Sequence, residues 1–326
     1  MWAQFSCAPG EEEQLTPRER LITALRLGKP EGLVPHLELE FQLSEEMFGV
    51  HALRADDMKD VSGPRRDEML QQNVKHWIEV AQRFDWSAIT GLHWLPLEDQ
   101  VKSFHYVREM AGDTFMLSAF CDGTFSIPDG ASMMEHAAWL MERSDEAIAE
   151  AQRRVDGAIA HCLELVKAGA EIIFMCADYC FNEGPFLSPS MFRRFVTPFL
   201  KQQIAEWKKA GAFAVKHTDG DIMPILDQLV HCEPDAIHSL DPMAGVDIKK
   251  VKEIAGNRTC LMGNVNCALL QSGTEEQIRQ SARYCLEHGG AAKGGYVYTS
   301  SNCIFKGVPP ESYMVMLDER RRWRER

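Results

Sequence analysis

Ala212-Phe213-Ala214-Val215-Lys216-His217-Thr218-Asp219-Gly220 runs from four apolar residues into a charged and polar cluster that ends in glycine. Core packing alone does not ask for such an ending. The pattern is that of a buried strand whose carboxyl end opens onto a ligand site, with Gly220 allowing a sharp turn. Along an extended chain His217 and Asp219, at i and i+2, point the same way. They can then hold a metal or act as an acid–base couple. The plainer alternative has Asp219 capping a helix that begins near Ile222 and His217 hydrogen-bonding backbone at a rim.

The same unit recurs on both sides of this stretch. Short apolar or alternating runs at 34–38, 87–92, 114–120, 171–176, 213–216, 236–240, 259–262 and 296–299 alternate with amphipathic helical spacing, as over 189–209 and 274–288. Eight β-then-α units predict an α/β fold, a single (β/α)8 TIM barrel. Thr16-Pro17-Arg18-Glu19 combines an N-cap, a proline at the first helical position and a capping-box glutamate. A helical extension therefore precedes the barrel, stopped by Gly28 and Pro30. Residues 1–15 read as a flexible tail and 16–326 as the barrel domain. Neither G-x-G-x-x-G nor G-x-x-x-x-G-K-[ST] occurs, which argues against a nucleotide site.

Composition narrows the function classes. Apolar residues make up 45% of the chain and charged ones 25%, a balance that buries a large core, and no run approaches a membrane span. The start, MWAQFSCAPGEEEQ, lacks the basic and apolar regions of a secretory signal. A formal charge of −13, from 35 basic and 48 acidic side chains, opposes binding to nucleic acid or an anionic membrane. Ten cysteines without a C-x-x-C pair read as free thiols in a reducing compartment. These features predict a soluble, cytoplasmic protein.

In a parallel barrel, polar residues just past the strand ends converge on one mouth. His36, Glu38 and Glu40 belong to the first strand, His93 follows the second, Asp122 the third, and Asp178, Cys180 and Glu183 the fourth, with the aromatic Tyr179 in the same loop. Lys216, His217 and Asp219 come from the fifth, His238 and Asp241 from the sixth, Asn264 and Asn266 from the seventh, and Ser300, Ser301 and Cys303 from the eighth. Cys303, in the polar loop Ser300-Ser301-Asn302-Cys303, is oddly placed for a packing cysteine and can meet His217 only across the mouth. Zinc accepts sulfur, nitrogen and carboxylate ligands and keeps one position open in a catalytic site. His217 and Cys303 supply two ligands; the third is open among Asp219, Asp178, Glu183 and Cys180. Asp178, after an apolar strand, is a candidate for orienting substrate or moving a proton, and Glu183 for the same chemistry. His36, Glu38, His93, Tyr179 and Asn264 are candidate substrate contacts.

Several landmarks then fall in order: Asp178-Tyr179, Gly184-Pro185, Leu187-Ser188-Pro189, Phe192, Pro198, His217-Thr218-Asp219-Gly220, Gly263-Asn264 and Val308-Pro309-Pro310-Glu311. Together they resemble the uroporphyrinogen decarboxylase-like superfamily over roughly residues 16–318. That resemblance implies a (β/α)8 barrel. True decarboxylases of the superfamily carry an arginine-rich signature, R-x-V-W-x-M-R-Q-A-G-R, that grips substrate carboxylates. Here the corresponding stretch is Val34-Pro35-His36-Leu37-Glu38-Leu39-Glu40, acidic and without arginine.

The other large branch comprises cobalamin-dependent methyltransferases that work with a corrinoid held on a separate small protein. Its coenzyme M-specific members bind zinc through H-x-C and a distant cysteine. This chain keeps His217 and Cys303 but has Asp219 in place of the first cysteine. The departure makes it more similar to O-demethylase methyltransferases, which take methyl from methoxylated aromatics. The resemblance thus implies zinc on His217, Cys303 and Asp219, a cobalamin on a corrinoid partner protein, and a small-molecule methyl donor. Methyl transfer to a thiol, or a non-catalytic barrel that carries a corrinoid, are the alternatives.

Overall fold

The computed structural model describes residues 15–324, so the expected tail lies outside the described residues apart from Leu15. Among the described residues nine strands follow in chain order: β1 Ala88–Ile89, β2 Met116–Phe120, β3 Ile172–Met175, β4 Cys180–Phe181, β5 Gly184–Pro185, β6 Phe213–Thr218, β7 Ala236–Ser239, β8 Cys260–Gly263 and β9 Tyr296–Val297. Seven of them form one parallel sheet in the order β1-β2-β3-β6-β7-β8-β9. The other two, β4 and β5, pair antiparallel in a small hairpin that follows β3.

The expected first strand at 34–38 is a correction. It contributes isolated bridges, His36 to Tyr298 and Phe41 to Ile304, in place of a ladder. Pro35 has no N–H to donate, which breaks regular pairing there. The segment still closes the barrel, because its carbonyls accept from both flanks: Tyr298 N donates to Pro35 O at 2.9 Å and Ser87 N to His36 O at 2.6 Å. The sheet curls until its two edges meet across these bonds. A (β/α)8 barrel results, with its eighth staff irregular.

Alternation along the strands sorts side chains between two cores. Leu37, Leu39, Ala88, Met116, Ile172, Phe174, Val215, Ala236, Cys260, Met262 and Val297 fill the interior, and the alternate residues face the helices. Leu21, Ala24 and Leu25 of helix Pro17–Leu25 belong to that same interior core. The N-terminal extension is therefore a plug on the amino-terminal end of the barrel, started by the predicted capping box of Thr16 and Glu19. Outside, Trp77, Trp86, Trp207 and Tyr313 are fully buried between strands and helices. Among the described residues no helix is long and apolar enough to cross a membrane.

Candidate functional site

On β6, Val215 belongs to the interior core and His217 lies two residues further on the same face. On β7, Ala236 and His238 repeat that arrangement, and parallel register places His217 beside His238. Both imidazoles are buried, and their Nδ1 atoms approach to 2.7 Å. Burial lowers the pKa of His217 to about 4 and that of His238 well below the ordinary value. A neutral ring is the form that binds metal.

Two carboxylates face the outer nitrogen of His217. Its Nε2 lies 3.9 Å from Asp178 Oδ1 and 3.8 Å from Asp219 Oδ1. Candidate ligand atoms of Asp178, His217 and Asp219 all lie within 4.8 Å of one another. Asp219 is held from two sides, accepting from Ser239 Oγ at 2.6 Å and from the Asn302 amide. Burial pushes its pKa to about 7, opposed by the Ser239 hydrogen bond and reinforced by Asp178 and Asp241. Asp178 is half exposed, and its Oδ1 accepts the backbone N–H of Asp219 at 3.0 Å. One neutral imidazole and two crowded carboxylates form a donor set that fits a divalent cation such as zinc.

The scaffold beneath this cluster is polar and fully paired. Lys216 points to the opposite face of β6 and is completely buried. Its ammonium donates to Asp122 Oδ2 at 2.8 Å, to Ala177 O at 2.8 Å and to Met175 O at 3.2 Å, and lies 4.1 Å from the Tyr179 ring centre. Although burial raises the Asp122 pKa, the adjacent lysine and the Thr124 donors together outweigh it and the net shift is downward. The ends of β2, β3 and β6 are thereby tied together directly below Asp178. Gly220 has φ +82°, and a Cβ there would sit 2.4 Å from Cys180 O. The β4–β5 hairpin can lie against the turn after β6 only because that residue is glycine.

Other residues expected at the site are placed differently. His36 and Glu38 alternate with Leu37 and Leu39, and it is the leucines that face the interior. His36 is buried between Tyr298 O at 2.8 Å and the Tyr313 hydroxyl at 3.1 Å, so both ring nitrogens serve the fold. Tyr179 is buried with its hydroxyl 2.6 Å from Thr124 Oγ1. Asn264 is buried, donating to Leu240 O at 2.6 Å and accepting from Cys285 Sγ at 3.3 Å. Glu183 is exposed in the turn of the hairpin. His93 lies between Phe120 and Trp94, with ring centres at 3.9 and 4.5 Å, and burial lowers its pKa to about 4.

Cys303 is half buried and is not among the three residues whose ligand atoms converge. Burial, with Glu40 nearby, pushes its thiol up to about 12. From the same loop it is Asn302 that reaches Asp219. Asp122, Lys216 and His238 fall within the polar set that residue order gathers at the strand ends, but without a role of their own, and Asn302 is not singled out there. For His238 a signal existed, since it follows Ala236 on its strand as His217 follows Val215.

Glu38 is completely buried. Its Oε2 accepts from Thr299 Oγ1 at 3.0 Å, Ser300 N at 3.2 Å and Ser300 Oγ at 2.6 Å, while Oε1 has no hydrogen-bond partner among the described residues and lies 3.9 Å from His36 Nε2. Burial raises its pKa from 4.5 to about 8 despite those donors. The folded chain thus keeps a proton that the unfolded chain releases. This stabilisation is fully present below the unfolded pKa and is lost as pH rises through about 8. At about 1.4 kcal/mol per pKa unit, the loss has a ceiling on the order of 5 kcal/mol. Glu38→Gln is expected to flatten the fall in stability between roughly pH 5 and 8.5, read by urea denaturation across that range. An unchanged slope in the variant would show that Glu38 is not its source.

The sequence model of the family described as "Uroporphyrinogen decarboxylase (URO-D)" matches residues 89–323. The "Uroporphyrinogen decarboxylase" of Chlorobium luteolum is 29% identical over 156 residues, 47% of this chain and 42% of the relative. The "Methylcobamide:CoM methyltransferase MtaA" of Methanosarcina barkeri is 24% identical over 191 residues, 58% of this chain and 54% of the relative. The chain spans about half the length of the curated relatives it matches. Among solved structures, a "methyltransferase from Methanosarcina mazei" superposes with a TM-score of 0.73 at 18% identity, covering 95% of this chain and 99% of that one. At that identity the likeness speaks to the fold.

Proposed function

Because the chain belongs to the uroporphyrinogen decarboxylase (URO-D) family, we propose that it is a metal-assisted methyltransferase acting between a small methyl donor and a corrinoid on a partner protein, with a methoxylated aromatic as donor. The observation that carries this reading is the convergence of Asp178, His217 and Asp219 at the barrel mouth. The similarity to a protein named a methylcobamide:CoM methyltransferase supports the corrinoid partner. Decarboxylation of a polycarboxylate fits the mouth less well. Asp178 and Asp241 add negative charge beside Asp219, which would repel such a substrate.

In this reading His217 and Asp219 hold zinc from inside the mouth, and the more exposed Asp178 completes the set toward substrate. Zinc, when bound, supplies a Lewis acid for the oxygen from which methyl departs. Ser239 and Asn302 fix the Asp219 carboxylate, and the buried Lys216 fixes the strand ends, so the donors are organised before substrate arrives. The methyl carbon leaves its oxygen without the bonding electron pair, which stays on the phenolate. The acceptor supplies a new pair, and the phenolate takes a proton from solvent.

Elemental analysis of the full chain purified without chelators tests the metal, and about one zinc per chain is expected. Incubation with reduced corrinoid protein and a methoxylated aromatic should yield the free phenol and a methylated corrinoid. The runner-up, methyl transfer from methylcobamide to a thiol, is favoured by the M. barkeri relative and predicts a thioether product instead. Phenol formation without corrinoid would sink both.

A further inference from the structure

We infer that His238 is a positioning residue that sets the tautomer of His217, and that the direction of the hydrogen bond between them reverses when a metal binds. This rests on the metal reading of the Asp178, His217 and Asp219 cluster. Two imidazoles whose Nδ1 atoms lie 2.7 Å apart share one hydrogen. If His238 donates it, His217 must carry its own hydrogen on Nε2, directed at the two carboxylates. If His217 donates it, Nε2 presents a lone pair to the same place. The carboxylate oxygens at 3.8 and 3.9 Å are too distant for good hydrogen bonds, yet within the span of two metal–ligand bonds of about 2.1 Å each. A cation therefore selects the second arrangement and a metal-free site the first.

Nothing else in the surroundings of His238 asks for an imidazole. It is completely buried, it pairs in register with Met262 on one side, and its strand neighbour on the interior face is Ala236. Its Nε2 has no partner among the described residues, so its polar contact is the one to His217. Burying a polar ring for a single hydrogen bond costs stability. The return is a fixed orientation for a metal ligand, whose second nitrogen is commonly held by such a partner.

Zinc binding to the full chain, measured by competition with a chromophoric chelator, tests the inference. His238→Leu is expected to weaken zinc about 10- to 100-fold. His238→Asn, whose Oδ1 offers an acceptor near the lost Nδ1, is expected to regain most of that loss. In wild-type protein labelled with ¹⁵N-histidine, zinc should move the His217 hydrogen from Nε2 to Nδ1 and the His238 hydrogen from Nδ1 to Nε2. Unchanged affinity in His238→Leu, no rescue by asparagine, or a His217 tautomer indifferent to zinc each overturns it. The labelling measurement stands even if the leucine variant fails to fold. A wild-type chain that takes up no zinc overturns the metal reading itself, and is told apart because it needs no His238 variant.

Discussion

His217→Ala is expected to abolish retention of zinc through purification and to slow methyl transfer on the order of 10³-fold or more, which corresponds to about 4 kcal/mol of lost transition-state stabilisation. His217 supplies the neutral nitrogen of the cluster, and the two carboxylates left behind, Asp178 and Asp219, already repel each other. Loss of His217 also removes the one hydrogen-bond partner that the His238 ring has among the described residues, so secondary structure and melting temperature must be followed in parallel. Cys303→Ala gives the contrast. The thiol lies outside the converging trio, so this variant is expected to keep most of its zinc. If Cys303→Ala loses zinc as fully as His217→Ala, the ligand set includes the thiol and the trio is incomplete. If His217→Ala keeps zinc and activity, the site is misassigned.

Lys216→Met is expected to destabilise the fold by about 3–5 kcal/mol, because it strands Asp122 as a buried carboxylate without its counter-ion. It also removes the donor to the carbonyls of Met175 and Ala177, loosening the strand end that carries Asp178. Denaturant midpoints measure the first effect, and zinc affinity the second. The double variant Asp122→Asn, Lys216→Met should recover much of the stability, since no uncompensated charge then remains in the interior. A single-variant loss below about 1 kcal/mol would mean that water reaches Asp122 and that the pair is not the lock described here.

Much of this architecture was legible from residue order. Periodicity located seven of the eight barrel staves to within a few residues, because a parallel strand buried on both faces is a short apolar run that stands out between amphipathic helices. The eighth was blurred by Pro35, whose effect on pairing depends on which neighbours the segment meets. The small β4–β5 hairpin escaped notice because two-residue strands carry no period to detect.

For the site, the sequence by itself determined that polar groups gather at the carboxyl ends of the strands, and that His217 and Asp219 share a face of one of them. Those are local properties, set by alternation and by the common direction of parallel strands. Tertiary structure alone decided the rest. Whether His36 and Glu38 or Leu37 and Leu39 face the interior depends on how the first segment is rotated between β9 and β1, and a one-residue difference in phase exchanges the two sets. Which of Asp178, Glu183 and Cys303 approaches His217 depends on loops whose paths are fixed by long-range contacts such as Asn302 with Asp219. The pairing of His217 with His238 required the register of β6 against β7, which is set by the closing of the whole barrel and by no single stretch of chain.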